Sequence, residues 1–139
     1  MLFWVQIVYR SSDMILSFQG HVEKGEGMAS GLGCPTANIA IEQGAIIPGL
    51  GVYVGETQVD GKRYASLICI NDGRTGYNLK MEVHLLGENI DLTGKFLKVD
   101  LFEKIREVIP FPGNEEMSVI IKQDLLDARD WFSTHPVGA

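Results

Sequence analysis

A glycine-rich segment near the N-terminus is the first candidate for chemistry in this sequence. Residues 20–38 read GHVEKGEGMASGLGCPTAN, and Gly25, Gly27, Gly31 and Gly33 fall close together within them. Glycine permits positive φ angles and lets backbone N–H groups approach an anion closely, so the segment is a candidate phosphate-binding loop. It is neither a Walker loop nor a GxGxxG fingerprint. On the glycines alone, a series of turns remains the alternative.

The same segment ends in a short polar motif, Pro35-Thr36-Ala37-Asn38. In an extended chain, residues two apart point to the same side, so the Thr36 hydroxyl and the Asn38 amide oxygen face one way. Hard oxygen ligands of this kind suit Mg²⁺, which keeps several waters and takes few protein ligands. The alternative is a polar turn in which both side chains bond to the local backbone.

A candidate carboxylate lies in a segment that alternates apolar Met81, Val83 and Leu85 with polar Glu82 and His84. This period of two predicts a half-buried strand with Glu82 and His84 on its polar face. A carboxylate in such a place could accept a proton as a general base, and the alternative for Glu82 is a solvated strand residue. His84 either contacts a ligand or makes a structural hydrogen bond.

The elements that must position these residues are mostly strands. Alternation over Phe96–Phe102 predicts another half-buried strand, and the more continuous apolar runs Gly51–Val54 and Tyr64–Ile70 predict buried ones. Between these two runs, Asp60-Gly61 predicts a tight hairpin.

One helix is predicted near the C-terminus, over about residues 114–132, with Asn114 as its cap. Apolar residues recur there at three- and four-residue spacing and form one stripe: Met117, Ile121, Leu125, Ala128 and Phe132. Mostly strands followed by one amphipathic helix predict a small antiparallel β-barrel with the helix packed on it.

Length and composition set limits on function. A chain of 139 residues suits one domain, and we expect an N-terminal extension over 1–14 and the barrel domain over 15–135. The net charge of −6 argues against nucleic acid as a partner, because such binding depends on clustered Lys and Arg. The apolar start is too short to span a membrane. Cys34 and Cys69 fit no zinc or disulfide pattern, so we expect reduced thiols in a cytoplasmic protein. We also expect a monomer.

Several of these features, in this order, resemble the riboflavin kinase family. They are the glycine-rich segment, Pro35-Thr36-Ala37-Asn38, Gly51-Val52-Tyr53, residues 81–86, Asp91-Leu92-Thr93-Gly94, Ile105-Arg106, Phe111, Asp124 and Ala128-Arg129. The resemblance covers about residues 18–132.

The resemblance implies a Greek-key barrel that transfers the γ-phosphate of ATP to the 5′-hydroxyl of riboflavin, with Mg²⁺, giving FMN and ADP. Because only a few residues precede the barrel, we expect no further conversion of FMN to FAD. The resemblance also implies Glu82 as the catalytic base, Thr36 and Asn38 as metal ligands, and Arg106, Phe111 and Asp124 as flavin-binding residues. For ATP it implies Gly25, Gly27, Gly31, Gly33, Pro35 and His84. From the residues alone, Arg106 could equally be a surface ion-pair residue.

The sequence also departs from the family pattern. Met28, Ala29 and Ser30 stand where family members usually carry basic residues in the loop, and Glu107-Val108 replaces a Pro-Glu pair after Arg106. These differences leave two alternatives open. One is a catalytically weak or inactive flavin- or nucleotide-binding module on the same barrel, and the other is a barrel reused for interactions.

Overall fold

The strands of this protein form one antiparallel sheet. The computed structural model describes residues 4–10, 13–23, 37–41, 48–72 and 79–138. Within these ranges the elements are β1 (Trp4–Arg10), β2 (Asp13–His21), β3 (Ala37–Ala40), β4 (Gly51–Val59), β5 (Lys62–Asn71), β6 (Lys80–Leu85), β7 (Phe96–Arg106) and α1 (Asn114–Thr134). The strand order in the sheet is β1-β2-β7-β4-β5-β6-β3.

The sheet curls until β3, at one edge, meets the chain at the end of β2. Just after β2, Glu23 forms an antiparallel bridge with Asn38 of β3, and the Glu23 N–H donates to the Asn38 carbonyl at 2.7 Å. Strands β2 to β7 therefore surround a common interior, while β1 pairs with β2 alone and lies outside this ring. The predicted antiparallel barrel with one C-terminal helix is confirmed.

The interior is filled by the apolar side of each strand. Met81 is fully buried in it and Val83 and Leu85 nearly so, as the alternation predicted, with Ile39 and Ile68 packed in the same core. Because successive side chains alternate along a strand, Glu82 and His84 of β6 face away from the core. We call that opposite side of the sheet the outer face.

Two local elements follow directly from turn and capping chemistry. Asp60 (φ 51°) and Gly61 (φ 78°) form the predicted tight turn, with Val59 paired to Lys62 across it. The helix α1 does begin at Asn114, but the prediction that Asn114 caps it is wrong. Gly113 occupies the cap position at φ 111°, without a side-chain cap, and its carbonyl accepts from the Met117 N–H at 2.9 Å.

The helix α1 covers part of the outer face. Its Ala128 is fully buried against Val52 and Val54 of β4 and Leu67 of β5. Leu125 and Phe132 of the predicted stripe pack at the border of the same cluster. Among the described residues, no helix is long and apolar enough to cross a membrane.

Candidate active site

Five residues form a transverse row across five strands of the sheet. Asn38 pairs with Glu82, Glu82 with Cys69, Cys69 with Val52, and Val52 with Arg106. Directly paired residues of neighbouring strands project their side chains to the same face. We call this set the outer row, because Asn38 and Glu82 alternate with core residues and Val52 packs under the helix.

One end of the outer row brings together two residues predicted to act in the chemistry. Asn38 and Glu82 are direct cross-strand partners, and the Glu82 side chain is 24 % exposed. The Nζ of Lys80 lies 3.7 Å from Oε1 of Glu82. The backbone of Asn38 is fixed on both sides, by β6 and by the bridge to Glu23. This end is therefore a polar and accessible part of the outer face.

The side-chain oxygen atoms at this end match the ligand chemistry of Mg²⁺. Among the described residues, no group of three or more His, Cys, Asp or Glu side chains is placed to hold a metal. A cage built from those residue types is thus not found in this part of the chain. An amide oxygen beside a carboxylate suits an ion that takes few protein ligands and completes its shell with water and phosphate oxygens.

The other end of the outer row is an ion pair between sheet and helix. Nε of Arg106 donates to Oδ1 of Asp124 at 2.7 Å, and Nη2 donates to Oδ2 at 2.8 Å. Nη1 also donates to the Glu107 carbonyl at 3.0 Å. The hydrogen bond with Asp124 raises the pKa of Arg106 above its ordinary value. Because Asp124 is buried with both oxygens on Arg106, it fixes the plane of the guanidinium.

Cys69 lies in the middle of the outer row, and sequence reasoning gave it no place in a site. Its Sγ accepts from Nδ2 of Asn71 at 3.6 Å, and burial raises the pKa of its thiol to about 11. The charges of Glu82, Arg106 and Asp124 all act on this thiol, which shows that both ends of the row are near it. The thiol is therefore uncharged at neutral pH.

The remaining predicted site residues fall in different parts of the molecule. His84 is half-buried two residues beyond Glu82 on the same side of β6, opposite Leu67. Phe111 lies between β7 and α1 and is 44 % exposed. Six predicted residues lie outside the described residues: Gly25, Gly27, Gly31, Gly33, Pro35 and Thr36.

Comparison with known proteins gives a consistent set of matches. The sequence profile described as "Flavokinase: Riboflavin kinase" matches residues 13–132. The bifunctional riboflavin kinase/FMN adenylyltransferase of Buchnera aphidicola is 31% identical over 126 residues, covering 87% of this chain and 40% of that protein. The protein of the same description from Escherichia coli (strain K12) is 31% identical over 119 residues, covering 84% and 38%. This chain thus spans about two fifths of the length of these relatives.

Solved structures show the same likeness. The crystal structure of riboflavin kinase from Trypanosoma brucei superposes with a TM-score of 0.63 at 26% identity, covering 88% of this chain and 83% of that one. A Streptococcus pneumoniae chain described as a macrolide-efflux protein superposes with a TM-score of 0.74 at 24% identity, covering 83% of this chain and 38% of that one, and this likeness shows the fold alone.

Proposed function

Because the chain belongs to the riboflavin kinase family, we propose that it transfers the γ-phosphoryl group of ATP to the 5′-hydroxyl of riboflavin. The outer row is the observation that carries this proposal. It joins a polar end, with Asn38 and Glu82, to the Arg106–Asp124 pair under the helix. Glu82 and Arg106 are three strand spacings apart, about 14 Å along the sheet. A ribityl chain with its ring fits a span of this kind.

Glu82 acts as the general base in this proposal. The 5′-hydroxyl oxygen attacks the γ-phosphorus in line, the bond to the β–γ bridging oxygen breaks, and ADP leaves. The hydroxyl proton passes to the Glu82 carboxylate as the new O–P bond forms. The position of Glu82 supports this role, because its side chain is accessible and lies beside Asn38. Phosphoryl transfer otherwise requires positioning and neutralisation of charge.

The phosphates are proposed to bind at the same end. Thr36 and Asn38 would hold Mg²⁺, which supplies neutralisation of the phosphate charge when bound. The support for Asn38 is its oxygen donor beside Glu82 and its backbone fixed by two strands. Pro35, His84 and four loop glycines, Gly25, Gly27, Gly31 and Gly33, are proposed to contact ATP.

The flavin is proposed to bind at the helix end. Arg106 would donate to polar atoms of the ring, and Asp124 would orient Arg106 through its two hydrogen bonds. Phe111 follows shortly after in the segment between β7 and α1, and its exposed ring offers an apolar face. The ring would thus meet one oriented cation and one aromatic side chain.

A product assay tests this function. The purified protein is mixed with riboflavin, ATP and MgCl₂, and riboflavin and FMN are separated by chromatography with fluorescence detection. We expect FMN and ADP in equal amounts, and no FMN when EDTA is added. Riboflavin binding without any FMN would instead indicate a flavin-binding module, and binding of neither riboflavin nor ATP would indicate an interaction module.

A further inference from the structure

Lys80 lies beside the proposed base and has no role in the mechanism above. It is the first residue of β6, two positions before Glu82, so both side chains project from the outer face. Both are similarly accessible, at 25% for Lys80 and 24% for Glu82. The 3.7 Å between Nζ and Oε1 makes them an ion pair.

The sheet register places this cation next to the outer row. Lys80 pairs with Ala40 of β3 and with Asn71 of β5, one step along the same face from the pair of Asn38 and Glu82. An ammonium, a carboxylate and an amide therefore stand together at the polar end of the sheet. This is the end at which the proposed function requires phosphate oxygens.

The ion pair with Glu82 does not by itself explain why a lysine occupies position 80. Its 3.7 Å separation exceeds the 2.7–3.2 Å of an N–H···O hydrogen bond. A pair this accessible contributes little to stability. By contrast, Lys95 contacts Asp60 at 2.8 Å and Lys104 contacts Glu107 at 2.7 Å, so these lysines are held by closer carboxylates.

In the proposed reaction, the γ-phosphate of the nucleotide lies close to Lys80. When the 5′-hydroxyl lies at Glu82, the attacked phosphorus is about 3–3.5 Å from that oxygen. The non-bridging oxygens then come within reach of an ammonium on a flexible four-carbon stem. Charge on those oxygens is neutralised best by a cation that is already in place.

We propose that Lys80 binds the γ-phosphoryl group of the nucleotide and is a further catalytic residue, an inference that rests on the proposed function. Its ammonium donates hydrogen bonds to the non-bridging oxygens and keeps its protons throughout. The proton of the attacking hydroxyl goes to Glu82. Lys80 therefore distinguishes a nucleoside triphosphate from a diphosphate.

Binding measurements test this inference without turnover. Calorimetry gives the affinities for ADP and for a non-hydrolysable ATP analogue, both with Mg²⁺, in the wild type and in Lys80→Met, Lys80→Gln and Lys80→Arg. We expect the preference for the triphosphate to fall about tenfold in Lys80→Met and Lys80→Gln, as for a lost charged contact, with ADP affinity little changed. Lys80→Arg should keep most of the preference for the triphosphate. Lys95→Met, which removes the surface ion pair with Asp60, should match the wild type.

The FMN assay on the same variants completes the test, with an expected drop of about 10²-fold in kcat for Lys80→Met. A triphosphate preference unchanged in Lys80→Met and Lys80→Gln would overturn the role of Lys80, even if the wild type makes FMN. A preference that depends on Lys80 in a protein that makes no FMN would keep the phosphate site and overturn the kinase function. Failure of the wild type to bind either nucleotide would overturn both.

Discussion

Asn38 is the one predicted metal ligand whose position the structure describes. Its position matters because Glu82 is its direct neighbour. Asn38 faces Glu82 across β3 and β6, so a metal held by its amide oxygen would lie beside the proposed base. Asn38→Ala removes one hard oxygen ligand but leaves the strand pairing unchanged. We therefore expect the Mg²⁺ concentration for half-maximal activity to rise severalfold, without a change in the unfolding midpoint.

The control for this variant is Asn89→Ala, since Asn89 is an exposed asparagine between β6 and β7. Thr36→Ala should shift the Mg²⁺ requirement in the same direction as Asn38→Ala. If neither variant differs from Asn89→Ala in its Mg²⁺ dependence, the Pro-Thr-Ala-Asn motif has a structural role only.

Cys69 offers a probe of the centre of the outer row. Burial raises the pKa of its thiol from the ordinary value of 9.0 to about 11. In a Cys34→Ser background Cys69 is the single thiol, because the chain has two cysteines. Since the thiolate is the nucleophile, its alkylation rate should rise with a midpoint near pH 11 in the folded protein. The same protein in urea should show a midpoint near 9.0. A midpoint near 9.0 in the folded state would mean that the thiol is solvated.

The same pKa shift predicts a loss of stability at high pH. Between pH 9.0 and about 11 the unfolded chain releases the Cys69 proton while the folded protein keeps it. The unfolded state then binds fewer protons, so the free energy of unfolding falls as pH rises, by about 1.4 kcal/mol per pH unit from this group. Denaturation curves of the wild type and of Cys69→Ala, measured over the same pH range, should show that the variant lacks this loss of stability.

The helix α1 forms one side of the proposed flavin-binding end of the site. It packs Ala128 on β4 and β5 and pairs Asp124 with Arg106 at the end of β7. The proposed flavin-binding end of the outer row therefore depends on a tertiary contact between helix and sheet. A change that weakens this contact should affect riboflavin binding and stability together.

Asp124→Asn tests that dependence. The change removes the charge that faces the guanidinium of Arg106, and losing a hydrogen bond to a charged group in a partly buried pair costs about 1.5–3 kcal/mol. We expect a lower unfolding midpoint in urea and weaker riboflavin binding. Asp127→Asn is the matched control, because Asp127 is exposed on the same helix. Equal midpoints for the two variants would show that the Arg106–Asp124 pair does not hold the helix in place.

Much of the molecule was predictable from local patterns. The alternation from Met81 to Leu85 correctly assigns the core and outer faces of β6, and Asp60-Gly61 correctly places a hairpin. Both signals act between near neighbours in sequence. The cap of α1 was missed because Gly113, with its positive φ, occupies the position that Asn114 was expected to fill.

The outer row was not predictable, because it depends on pairing between distant strands. A period of two indicates which face a residue occupies but not which residue of another strand lies opposite. Asn38 and Glu82 are separated in the sequence by all of β4 and β5. In the sheet, β7 lies between β2 and β4, although it follows both in the sequence. The positions of Cys69 and Lys80 close to Glu82 could therefore be recognised only in the folded sheet. The roles proposed for Glu82 and Asn38 rest on the family resemblance, since the residues alone left other interpretations open.

The rate of FMN formation by Glu82→Gln is the most direct measurement of whether this face of the sheet carries out the transfer. At saturating ATP, Mg²⁺ and riboflavin, we expect kcat to fall by about 10²–10⁴-fold, because glutamine cannot accept the hydroxyl proton. Riboflavin affinity should stay close to that of the wild type, and Glu88→Gln, at an exposed glutamate after β6, should keep full activity. A near-normal kcat in Glu82→Gln would contradict the proposed mechanism and remove Glu82 from it.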